Sequence, residues 1–215
     1  MTRAFTGTYR GTSTDERREQ RRRRLLDAAV EIVGTQGLAL LTVRGVCEQA
    51  KVGPRFFYES FTDLDALAIA VLDEVQGEAL ERARTAMTET PGGSEEKLRA
   101  GVAALIIAVT DDPRRANIAF AQAHGSAALM RRRFEGMRQV AQLLIEQTRV
   151  LLDRPEGDDT ALTAVAQLIT GGAAELILVW LDGGLKVDRP VLIAIVADYV
   201  VAMMDRLPGI TEQLA

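Results

Sequence analysis

The side chains best suited to chemistry in this chain are arginines and aromatics in its first third, and the chemistry is recognition. Arg21, Arg23 and Arg24 lie in the run DERREQRRRR, residues 15–24. A guanidinium is weakly hydrated and suits phosphates or a narrow minor groove. The same run also reads as a solvated helix start held by i,i+4 ion pairs. Arg55 opens the aromatic segment Arg55-Phe56-Phe57-Tyr58. Arginine reads a guanine edge through two hydrogen bonds, which makes Arg55 the first choice for a base contact. Phe56 has two readings, a contact to a thymine methyl or a half-buried filler. Arg44 is either solvated or within reach of a phosphate or guanine edge.

Bond-making chemistry has no comparable support. The chain has one histidine, His124, and one cysteine, Cys47, far apart in sequence. No phosphate-binding loop, dinucleotide turn or HExxH pair is present. Catalytic residues, a metal site and a cofactor are therefore not expected. Cys47 reads as a small buried hydrophobe, and a lone cysteine forms no internal disulfide, which suits a reducing cytoplasm.

The elements that must hold these residues come next. Thr42 is a helix cap, and a hydroxyl there also sits where phosphates dock. Val46, Cys47 and Ala50 give an apolar stripe at helical spacing. Lys51-Val52-Gly53 breaks the pattern, with Gly53 expected to take the unusual backbone angles. Pro54 fits the first turn of a second short helix. Phe57 and Phe61, spaced i,i+4, are core. Two short helices joined by a tight turn form a helix-turn-helix, whose second helix enters a major groove. A longer helix ahead of it, from about Glu16 to Gly37, packs Leu25, Leu26, Ala29, Ile32 and Val33 on both. The DNA-facing set is then Arg21, Arg23, Arg24, Thr42, Arg44, Pro54, Arg55, Phe56 and Tyr58.

The stretch from Leu41 to Phe61 resembles the DNA-binding domain of tetracycline-repressor-type (TetR family) transcriptional regulators. The likeness rests on Leu25 to Val33, Gly37, Thr42, Val46, Cys47, Ala50, Val52, Tyr58, Phe61 and Leu67, and covers about residues 20 to 68. Beyond that, only helical layout and length match. The family usually has Gly where this chain has Lys51, Ser or Thr at Gly53, and Lys at Leu64. The resemblance implies that the Tyr58 hydroxyl binds a phosphate and that the protein is a homodimer on a double-stranded DNA operator.

Charge supports the division. Residues 1–60 hold 11 Lys/Arg and 7 Asp/Glu, a balance of +4, against 15 and 23, a balance of −8, in the remainder. A basic end on an acidic body suits a polyanion partner. The expected fold is all-α. A mobile arm spans 1–14, a three-helix DNA-binding domain 15–62, and a helical ligand-binding and dimerisation domain 63–215. No apolar run reads as a membrane span and no signal peptide is evident.

In the body, a long helix from Asp63 is the lever between the two parts, and Ser94 is expected to cap the next helix. Asn117, Phe120 and His124 share a helical face and, with Met137 and Trp180, form the expected ligand pocket. Their bland reading is plain core with satisfied polar groups. The helix 126–153 is expected to bury Phe134 and Met137 and to leave Arg131, Arg132 and Arg133 solvated. Two helices, 160–181 and the last, are apolar nearly all round and so need a second covering surface. Leu168, Gly172, Leu176, Val179, Ile195 and Tyr199 mark the expected dimer interface, a four-helix arrangement. The expectation is a repressor released from its operator by a small-molecule effector. The rival is a helical small-molecule-binding protein or enzyme whose helix-turn-helix only packs.

Overall fold

The computed structural model describes residues 14–121, 127–151 and 160–214. Residues 1–13 of the expected N-terminal arm, His124 and the loop at 154–159 lie outside the described residues, and so does the Phe120 side chain. Among the described residues there are nine α-helices and no strand. They are α1 (Thr14–Gln36), α2 (Val43–Ala50), α3 (Pro54–Ser60), α4 (Leu64–Glu89), α5 (Ser94–Thr110), α6 (Pro113–Ala116), α7 (Ala127–Leu151), α8 (Thr160–Leu181) and α9 (Arg189–Leu214). A 3-10 turn at Leu38–Leu40 and a π-helical turn at Asn117–Ala121 complete them.

The N-terminal unit closes around one apolar cluster. Leu25, Ala29, Val46, Phe57 and Leu67 have no exposed surface, and Phe61 and Cys47 are buried beside them. Burying a phenylalanine such as Phe57 contributes about 1.5–3 kcal/mol. The cluster continues through Leu67, Ala68, Val71 and Leu72 of α4 and takes in Ile118 and Leu129 from the body. The N-terminal core therefore extends into the first turns of α4.

Local chemistry sets the ends of these helices. The Thr42 hydroxyl accepts from the Gly45 amide at 3.0 Å, so its capping role is present. Asp63 caps α4, accepting from the Ala66 amide at 2.7 Å. At α5 the cap position belongs to Gly93 rather than Ser94. The Glu96 carboxylate accepts from the Gly93 amide at 2.9 Å, and Ser94 is already helical. The turn between α2 and α3 also differs from expectation. Gly53 is extended (φ −68°), and the left-handed residue is Lys51, at φ 53°. Its amide closes α2 onto the Cys47 and Glu48 carbonyls, the geometry of a helix C-cap in which glycine is usual.

The body is a bundle of α4, α5 and α7 to α9. The π-helical turn brings three successive residues to three different neighbours. Asn117 Nδ2 donates to the Gly34 carbonyl of α1 at 3.1 Å. Ile118 joins the N-terminal cluster, and Ala119 packs with Val75, Ala108 and Val109 in the body. Ion pairs reinforce the seam. Arg114 reaches Glu31 of α1 at 2.5 Å, Arg115 reaches Glu78 of α4 at 2.5 Å, and Arg23 and Arg132 pair with Glu74 and Asp73 of α4. Partly exposed pairs of this kind contribute under about 1 kcal/mol each.

Two expectations for α7 are overturned. Phe134 is half exposed, and of the three arginines only Arg131 is open to solvent. Arg132 turns back to α4, and Arg133 lines a cavity of the body. The apolar helix α8 is 22 residues long with a mean hydropathy of 1.7, which by length and composition alone is enough to cross a membrane. That corrects the sequence reading, in which no apolar run reached a membrane span. In the fold α8 packs with α7 and α9, burying Val165, Ile169 and Ile177. Its outward residues Leu168 and Val179, with Val191, Ile195 and Tyr199 of α9, remain exposed.

Candidate nucleic-acid interface and body cavity

The recognition helix α3 is short, and its position is fixed from behind. Phe57 is fully buried and meets Tyr58 edge-on at 5.3 Å and Phe61 at 5.9 Å between ring centroids. Arginines of α1 hold its C-terminal end. Arg18 Nη2 donates to the Glu59 carbonyl at 3.1 Å, and Arg22 Nη1 to the Ser60 carbonyl at 3.2 Å. Arg22 also stacks on the Phe61 ring at 4.5 Å. Cations there satisfy carbonyls that a helix end leaves unpaired. The i,i+4 spacing of Arg18 and Arg22 was the signal for this role, and sequence reasoning missed it.

On the outer face stand Arg55, with a side chain 88% exposed, and Tyr58, 62% exposed. Arg55 Nε donates to Glu59 at 3.2 Å. That bond orients the guanidinium and leaves both terminal nitrogens available for the paired acceptors of a guanine. Arg44 is held in the same way by Glu48 at 2.8 Å. Thr42, Arg44, Pro54, Arg55 and Tyr58 are all exposed, around one end of α2 and α3. Lys51, Arg44 and Tyr58 line a shallow groove between these helices, so Lys51 joins a set that sequence reasoning drew without it.

The α1 arginines divide. Arg24 is exposed and, among the described residues, has no ion-pair partner. Arg23 is engaged with Asp27 and Glu74. The Arg21 guanidinium lies over the Phe56 ring at 4.3 Å, so these two candidates contact each other. Phe56 stays 37% exposed beneath it, between its two sequence readings. Cys47 is buried, and burial pushes its thiol above the ordinary range, away from a reactive thiolate.

The second feature is a cavity of about 160 Å³ between α4, α5, α7, α8 and α9, with Ala119 of the π-helical turn in its wall. Its walls are mostly aliphatic, including Leu80, Leu98, Ile106, Val140 and Ile169. Of the expected pocket residues Met137 lines it. Asn117 does not, because its amide is spent on Gly34. Trp180 does not either, since its indole N–H donates to the Val187 carbonyl at 2.8 Å and closes the α8–α9 connection. The polar lining was missed. It consists of Gln76, Thr170 and Arg133. The expected dimer residues Leu168, Gly172, Val179, Ile195 and Tyr199 are exposed, and Leu176 is half-buried against the body core.

Comparison with known proteins fits this geometry. Residues 25–71 match the model of bacterial regulatory proteins, tetR family. A search of the curated proteins returns no match. Among solved structures, the fatty acid degradation regulator FadR from Bacillus halodurans is similar at 20% identity and a TM-score of 0.67, covering 88% of this chain and 95% of its own. FadR from Bacillus subtilis, solved in complex with stearoyl-CoA, is similar at 18% identity and a TM-score of 0.67, covering 86% and 96%. A TetR-family structure from Syntrophomonas wolfei reaches a TM-score of 0.75 at 12% identity, covering 86% and 95%. Identities this low speak to the fold. The helix-turn-helix segment thus matches the model of the tetR family of bacterial regulatory proteins, and the helical body shares the fold of these structures.

Proposed function

We propose that the protein is a ligand-responsive repressor, a homodimer released from its DNA operator by a small-molecule effector bound in the body cavity. The observation that carries this reading is the shared π-helical turn. Ala119 lines the cavity, Ile118 packs in the N-terminal core, and Asn117 holds the end of α1. A molecule that fills the cavity acts on the same turn that positions the DNA-reading unit. Binding then favours one of two arrangements of α4 and the recognition helices, and operator affinity falls by the difference in effector affinity between them. The exposed apolar faces of α8 and α9 support a dimer, which presents two recognition helices to successive major grooves. The aliphatic cavity walls favour a lipophilic effector, and the B. subtilis FadR complex with stearoyl-CoA is consistent with that choice.

The test is a gel shift with DNA flanking the protein's own gene, followed by selection of bound genomic fragments. A competitor-resistant shift is expected. On the selected site Arg55→Ala should cost about 1–3 kcal/mol and relax sequence preference, whereas Arg24→Ala should weaken all DNA and lower the salt slope by about one. Equal losses from Arg55→Ala on operator and random DNA would remove its base-reading role. Failure to select any fragment would favour a helix-turn-helix that only packs.

A further inference from the structure

The polar atoms in the cavity wall specify more than a lipophilic guest. Three threonines are buried among the described residues, Thr110, Thr148 and Thr170. The first two donate to their own helices, at the Ile106 and Leu144 carbonyls, 2.6 and 2.7 Å away. Thr170 does not, although its hydroxyl is buried and it lines the cavity. The Gln76 carboxamide oxygen is the second buried polar atom in this wall without a protein partner. Burial denies such groups the hydrogen bonds they would make in water, so a matching guest gains by pairing them.

The backbone of α7 makes room for this pair. Gly136 is buried with the Gln76 carboxamide directly above its Cα, in space that any Cβ would occupy. The next residue, Met137, lies against Gly171, the neighbour of Thr170. Gln76 and Thr170 therefore line the same cavity as Gly136 and Met137 of α7. Their chemistry is complementary to a single group. The Gln76 oxygen only accepts, and the Thr170 hydroxyl can donate. At about 160 Å³ the space compares with a cavity of about 150 Å³ that admits benzene.

We propose that the cavity binds a neutral alkyl carboxamide or a close equivalent, a short apolar chain ending in a donor beside an acceptor, with its N–H on the Gln76 oxygen and its carbonyl on the Thr170 hydroxyl. This rests on the cavity being the effector site and sharpens that reading. A thioester or ester offers only acceptors and leaves the Gln76 oxygen unpaired. A carboxylate does the same and adds a charge. Arg133 lines the same cavity, and it is the group through which an anionic guest would be recognised instead.

The experiment is calorimetric titration of the full-length protein with octanamide, octanoate and methyl octanoate, without DNA. Octanamide should bind about five- to ten-fold more tightly than methyl octanoate. Gln76→Leu should weaken octanamide by a similar factor and leave methyl octanoate unchanged, whereas Thr170→Val should weaken both. Both variants should melt no lower than the wild type, because each removes an unpaired buried atom. A lowered melting temperature would mean that these atoms are already paired, and would overturn the assignment. So would equal binding of amide and ester, or no binding of any probe. Octanoate outbinding octanamide, with the advantage lost in Arg133→Ala, would overturn it in favour of an anionic guest. Octanamide binding by calorimetry that, in a separate gel shift, leaves the operator complex intact would uphold this assignment while removing the regulatory role.

Discussion

In the N-terminal unit Leu25, Val46, Phe57 and Leu67 interlock in one cluster, with a void of only about 20 Å³ beside it. In the body the buried residues divide into three clusters around a space of about 160 Å³. Both are made of the same helical, aliphatic material, so the difference lies in what each interior is for. The reading unit is filled by its own side chains and holds α3 in one position without help. The body is left short of atoms, and a guest that binds only its folded form stabilises it by mass action. A closed unit beside an underfilled body is the division that the proposed ligand response requires.

Truncation of the closed core should show the largest effect. Phe57→Ala is expected to cost about 3–5 kcal/mol, whereas Leu105→Ala, in a wall that already faces empty space, should cost nearer the lower end of about 2–5 kcal/mol. Urea unfolding of both variants measures the contrast, and equal losses would erase it. The next effect is at the seam. A methyl at Gly34 would stand 2.6 Å from the Arg114 Cα, and backbone cannot step aside. Gly34→Ala should therefore cost about 1–3 kcal/mol and loosen α6 from α1, seen as faster amide exchange at Asn117 and Ile118.

A smaller gain is expected at the α2–α3 turn. Lys51→Gly should add about 1 kcal/mol to stability by relieving a left-handed lysine. If it instead weakens DNA binding with stability raised, the Lys51 cation belongs to the interface. The smallest effect is electrostatic. The Arg115 hydrogen bond holds the Glu78 carboxyl below its ordinary value of 4.5. Its contribution is thus complete above about pH 4.5 and is lost as pH falls through the lowered value. Melting temperature against pH should fall less steeply in Glu78→Gln than in the wild type across that window.

The reader was far more legible in the sequence than the cavity. Thr42, Pro54 and the Phe57/Phe61 pair are local signals, because a cap, a first-turn proline and an i,i+4 spacing act within one helix. Leu25 to Val33 carried the core face for the same reason. The lining of the body could not be read that way. Gln76, Arg133, Gly136 and Thr170 come from three helices, and none is unusual within its own. Arg133 stands in a run of three arginines that looks like a solvated face. Asn117 drew attention as a polar residue on an apolar face, but its partner is a carbonyl of α1, 83 positions earlier. Gly53 and Lys51 show the limit of a local rule, since the turn needed a left-handed residue and the nearby glycine was not the one used.

The π-helical turn has a consequence for inheritance and engineering. Residues 117, 118 and 119 serve the end of α1, the reader's core and the cavity wall in that order. Deleting or inserting one residue rotates the later side chains by about 100° and reassigns every one of those partners. Length change should therefore be purged here. Recombination meets the same obstacle. A hybrid that joins this reader to another body must import the strip from α6 through residue 121 together with the last turn of α1, because the join between the two parts does not run along the chain at one point.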